Sequence, residues 1–140
     1  MNKGLALLLA LMAMLFTACD EEEPQGSIPY VPVYIEINLD DLRYQNLNSG
    51  GWVYLEGGIR GIVLIKESDS RYLAFERTCT YQPQEECARV EMHPTGIYLH
   101  DESCCGSQFD RRGQVLKGPA SQPLRQYATA RNGVYLIISN

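Results

Sequence analysis

The chain has 140 residues, 45% of them hydrophobic, and a formal net charge of −5 at pH 7. Twelve basic residues stand against seventeen acidic ones and form no basic cluster, so the surface lacks the phosphate-neutralising charge on which nucleic-acid affinity depends. That excludes nucleic acid as a partner, and the length suits one domain around a single core.

Residues 1–18 read as an export signal. Lys3 gives a weakly positive start, residues 4–16 are a nearly uninterrupted apolar run, and Thr17-Ala18 places small residues ahead of Cys19. The run is too short to make a comfortable permanent membrane span. "LFTAC" resembles the lipobox of bacterial lipoproteins, which implies that Cys19 becomes the new amino terminus and carries lipid. Each buried methylene of such an anchor adds about 0.8 kcal/mol of membrane affinity. Residues 19–27, with "DEEEPQGS", combine like charges with Pro, Gly and Ser, and so form a solvated tether. The acidic run also resembles the signal that sends some Gram-negative lipoproteins to the outer cell surface. The expected location is the cell envelope, lipid-anchored, at the outer membrane.

Residues 28–140 then form the folded domain, and their periodicity is that of strands. Val33, Ile35 and Ile37 alternate with Tyr34, Glu36 and Asn38, the pattern of a half-buried strand. "LDDLRYQNLN" is the one helix candidate. "GWVYLE", "GIVLIK", "RYLAFE", "ARVEM" and "GIYLH" follow, each short, rich in β-branched or aromatic residues, and bounded by turn residues. "QYATA" and "VYLIIS" flank Arg131-Asn132-Gly133, and Asn-Gly predicts a tight hairpin because both residues tolerate positive φ. Gly57-Gly58 and Arg60-Gly61 do not have the spacing of a phosphate-binding loop and read as turns. The expected class is all-β, stacked antiparallel sheets or a partly open barrel.

Four cysteines lie in the domain: Cys79, Cys87, Cys104 and Cys105. An even number in an exported domain predicts disulfides, and four cysteines allow three connectivities. A bond between the neighbours Cys104 and Cys105 would need a distorted backbone.

"CTYQPQEEC" and "ESCCGSQFDRRGQVLKGPASQPLRQY" together resemble the Rieske iron–sulfur domain. That family carries C-x-H in a first loop and C-P-x-H-G-S in a second, and two cysteines and two histidines hold the two irons of a [2Fe–2S] cluster. Gly106, Ser107, Phe109 and Asp110 stand where the family has G-S-x-[FY]-D. Gly113 and Val115 match its turn and next strand, and Gly118-Pro119 opens the match to its covering loop. The resemblance implies a Rieske-type fold with a small two-loop subdomain over about residues 78–124. The ligand positions depart from the pattern. Cys79 keeps the first cysteine, but Tyr81 replaces the first histidine, Glu102 the second cysteine and Cys105 the second histidine. A phenol and a hard carboxylate are poor substitutes for imidazole and thiolate on cluster iron.

In respiratory members of the family two further cysteines join the loops. By that resemblance Cys87 pairs with Cys104, which leaves Cys79 to pair with Cys105. Cys79–Cys104 with Cys87–Cys105 is the rival connectivity. The implied function is a lipid-anchored Rieske-like module without a cluster and without enzymatic activity. It would bind an unidentified protein partner through the loop ends at residues 81–86 and 119–122, with no cofactor and no metal expected. The alternative is an electron-transfer protein with a [2Fe–2S] or other metal centre on unusual ligands: Cys79 and Cys105 with Glu102, Tyr81 or His100, a set that would also suit zinc. Thiol–disulfide chemistry is disfavoured, because no C-x-x-C is present and Asp101 and Glu102 would raise a neighbouring thiol's pKa.

Overall fold

The computed structural model describes residues 27–140; the leader, Cys19 and most of the acidic tether lie outside the described residues. Ten strands build two sheets. β1 (Tyr34–Asn38), β2 (Trp52–Leu55), β3 (Ile62–Lys66), β4 (Tyr72–Glu76), β9 (Gln126–Asn132) and β10 (Tyr135–Ser139) form a six-stranded antiparallel sheet in the order β1-β10-β9-β4-β3-β2. β5 (Glu91–Met92), β6 (Tyr98–His100), β7 (Gln108–Asp110) and β8 (Val115–Lys117) form the second sheet in chain order. The insertion between β4 and β9 is therefore the two-loop subdomain. The all-β class and the two-sheet arrangement agree with the sequence reading.

The alternation in β1 is used as its residues suggest. Val33 and Ile37 are buried and Ile35 packs against them, while Tyr34, Glu36 and Asn38 face solvent. β3 and β4 show no such alternation, because both of their faces are covered. Ile62, Leu64, Tyr72 and Ala74 enter a first core with Val33, Leu136 and Ile138. Val63, Ile65, Leu73 and Phe75 point the other way, into a second core with Val90, Leu99 and Phe109. Two strands thus separate two apolar layers, and the second layer fastens the small subdomain to the large sheet.

Three local features differ from the sequence reading. The helix candidate is a 3₁₀ segment, Leu42–Ser49, capped by Asp41, whose carboxylate accepts the Arg43 N–H at 2.9 Å. It buries only Leu47, so little apolar area holds it to the sheet. "ARVEM" contributes just two residues of ladder in β5, extended by an isolated bridge between Thr78 and Arg89. The last hairpin turns on Gly133-Val134, since Asn132 still pairs with Tyr135 and Gly133 alone takes a positive φ, of 60°. A glycine leading a two-residue turn is one of the two favoured hairpin solutions.

Candidate functional site

The first loop leaves β4 at Glu76. The carboxylate of Glu76 is fully buried, yet every lone pair is used. It accepts the Ile59 and Arg60 backbone N–H groups at 2.8 and 3.0 Å, the Thr78 N–H at 3.0 Å, and the Thr78 and Tyr127 hydroxyls at 2.9 and 2.8 Å. Burial alone would raise its pKa; the Ile59 and Arg60 amides and the two hydroxyls outweigh it and hold the carboxyl below its ordinary value. One side chain therefore ties the β2–β3 turn, the start of the first loop and β9 together. The room for it is made by Gly58, where a Cβ would lie 2.2 Å from Glu76 Oε2 and φ is +65°.

The loop then returns through Cys79 N–H to Ala88 O at 3.0 Å. Its outer carbonyls are gathered by one guanidinium: Arg60 donates to Glu86 O at 3.0 Å, Pro83 O at 3.3 Å and Glu85 O at 2.5 Å. The second loop joins β6 to β7 and is closed by Asp101 N–H to Ser107 O at 3.0 Å and Gly106 N–H to Asp101 O at 2.7 Å, with Gly106 at φ 74°. A Cys87–Cys104 disulfide links the two loops. Ser103 adds a hydrogen bond to Cys87 O at 3.3 Å.

The covering loop, residues 118–124, is tied to both loops. Its Gly118–Pro119 peptide is cis. Thr80 donates its hydroxyl to Gln122 O at 2.7 Å, and Ser107 Oγ accepts the Ala120 N–H at 2.9 Å. Ser107 is fully buried, as is Phe109, which belongs to the second core. Gly118 and Pro119 are exposed. Gly113 is pressed against the Phe75 ring, with φ +75° and only 2.7 Å from a built Cβ to the ring carbon.

Beneath these loops stand Cys79 and Cys105, one from each. Their sulfurs are 3.7 Å apart, and both are free thiols, so the expected Cys79–Cys105 bridge is replaced by a thiol–thiol contact. The Cys105 sulfur is drawn elsewhere: it donates to Asp101 Oδ2 at 3.3 Å and contacts Ser107 Oγ at 3.0 Å. Cys79 is fully buried, and burial, assisted by Cys105 and the Asp101 charge, pushes its thiol pKa up despite the Tyr81 N–H directed at the sulfur. It is a proton-holding thiol, not an activated nucleophile.

The remaining sequence-expected positions do not join this pair. Glu102 is exposed on the second loop, and its neighbour Asp101 is the carboxylate turned inward. Tyr81 packs half-buried against the second core. His100 and His93 belong to a ring cluster with Tyr98, His93 stacking on Tyr98 at 4.4 Å. Among the described residues, one group of three metal-capable side chains occurs, Cys79, Asp101 and Cys105, with donor atoms within 4.8 Å of one another. A Rieske cluster takes two thiolates on one iron and two imidazoles on the other. Three donors without an imidazole do not fit that group. The resemblance pointed to Glu102; Asp101 shares the parity of the buried Leu99, but β6 is too short for that parity to be read from the sequence.

No family model matches the sequence, and no curated protein matches it. Among solved structures the chain is similar to the cyanobacterial plasma membrane Rieske protein of Synechocystis PCC 6803, at 24% identity and a TM-score of 0.54, over 78% of this chain and 98% of that one. The likeness establishes a Rieske-type all-β fold.

Proposed function

We propose that the protein is a lipid-anchored envelope module that uses the Rieske-type fold without its iron–sulfur cluster, as a disulfide-stapled platform for binding or assembly. The observation that carries this reading is the donor set between the loops: two thiols and one carboxylate, with both histidines in a separate ring cluster. The Cys87–Cys104 bond and the Thr80 and Ser107 hydrogen bonds supply the loop cohesion for which a cluster would otherwise be needed. Anchoring follows from the leader and Cys19; among the described residues no helix is long and apolar enough to cross a membrane. The similar cyanobacterial protein is described as a plasma membrane protein, which is consistent with envelope placement.

The test is the full chain, made through its own export route and purified without air. It is expected to be colourless and to contain neither iron nor acid-labile sulfide. A brown protein holding stoichiometric iron and sulfide overturns the reading.

A further inference from the structure

Asp101 is wholly buried, and one of its oxygens, Oδ1, has no hydrogen-bond partner. A buried carboxylate oxygen left unpaired is costly, and a metal ion is one of the few partners that compensates it. The other oxygen, Oδ2, lies 3.3 Å from Cys105 Sγ, and Cys105 Sγ lies 3.7 Å from Cys79 Sγ. Two thiolates on one tetrahedral zinc, each about 2.3 Å from the ion, stand about 3.8 Å apart, and a thiolate and a carboxylate oxygen about 3.5 Å apart. The two pairs that involve Cys105 already hold nearly that spacing, and the three donor atoms all lie within 4.8 Å of one another.

We propose that Cys79, Cys105 and Asp101 form a mononuclear site for a thiolate-seeking divalent cation, zinc above all. Two sulfurs exclude magnesium and calcium, which select oxygen, and the carboxylate suits zinc. Binding releases the two thiol protons to solvent, so the ion meets two thiolates and one carboxylate, and the fourth position is left to water. The loops that contribute the ligands are already joined by the Cys87–Cys104 bond, which lowers the entropy lost on bringing them together. The proposal rests on the cluster-free reading, since a dinuclear cluster would occupy the same two sulfurs.

The test titrates the full chain, anaerobically and with its Cys87–Cys104 bond intact, first with Co²⁺ and then with Zn²⁺ against a chromophoric chelator. Expected are one Co²⁺ per chain, near-ultraviolet thiolate-to-cobalt absorption with tetrahedral d–d bands, and displacement by Zn²⁺. Asp101→Asn weakens binding by at least about tenfold while keeping the thiolate band. Cys105→Ser, at the less buried sulfur, halves that band, and its melting curve verifies that the domain is folded. No stoichiometric uptake, or uptake unchanged in Asp101→Asn and Cys105→Ser, overturns the site. So does recovery of Cys79 and Cys105 as a disulfide from native protein. Iron and sulfide measured beforehand separate the two failures: an iron-free chain that ignores Co²⁺ sinks only this site, whereas a chain isolated with its cluster sinks the reading beneath it.

Discussion

Glu76 shows how much one side chain can carry. A charge buried to this depth is tolerated only when hydrogen bonds replace its water, and five donors do so here. Glu76→Gln keeps the shape but removes the charge and turns one oxygen into a donor facing other donors. It is expected to cost about 2 to 4 kcal/mol near pH 7, since hydrogen bonds to charged groups each contribute about 1.5–3 kcal/mol. The pH dependence follows from the lowered pKa. A carboxyl depressed in the folded state contributes stability above its unfolded value, about 4.3, and loses it as pH falls through the folded value. Denaturant melts of the two proteins should therefore differ most at neutral pH and converge as the solution is acidified below about pH 4. A gap that stays constant down to low pH would mean that Glu76 does not carry its charge in the fold. Nothing in "RYLAFERTC" marks this residue. Its role depends on an amide turn seventeen residues earlier and a hydroxyl fifty-one residues later, and neither is readable from local periodicity.

The elements differ in how openly the sequence declares them. β1 announces itself by alternation, β9 and β10 by the Asn-Gly pair between them, and β3 and β4 by short apolar runs bounded by turn residues. The second sheet is harder: β5 to β8 have two or three residues each, below the length at which a period can be counted. β5 and β6 are read from the turn-bounded stretches "ARVEM" and "GIYLH", whereas β7 and β8 rest on the resemblance of the residues that follow Cys-Cys-Gly-Ser, Phe109 to Val115. The same resemblance assigned one ligand position to Glu102, where the fold turns Asp101 inward instead. Short ladders of this kind depend on cross-links. The Cys87–Cys104 bond spans 17 residues, and in the chain-entropy account a loop of that size contributes about 3 kcal/mol. Cys87→Ser is accordingly expected to lower the melting temperature by several degrees or more. Hydrogen exchange should speed up in both loops and leave β3 slow, because β3 is held by neighbours on both faces. An unchanged melting temperature would show that the bond is dispensable to the subdomain.

At the scale of the molecule, β3 and β4 divide the protein into two apolar layers and thereby set its two ends apart. β9 begins beside Phe75, near the root of the first loop, and runs away from it to Asn132, so the Gly133-Val134 turn lies at the far end of the strand. The loop end is rich in exposed acids: Glu85 and Glu86 on the first loop and Glu102 on the second, brought together by the disulfide. A partner at this end would therefore present positive charge, and its association would weaken with salt. A photo-crosslinking residue placed at exposed Gln84 in living cells should capture a discrete partner, whereas one placed at Val134 should not. Reversing Glu85, Glu86 and Glu102 to lysine should abolish the capture without shifting the melting temperature appreciably, since surface charges of this kind contribute little to stability. Capture from Val134 alone, or capture at Gln84 that survives the charge reversal, would move the binding face away from the loops. The rigid frame beneath those loops, with its buried Glu76 knot and its cross-link, would then serve stability alone.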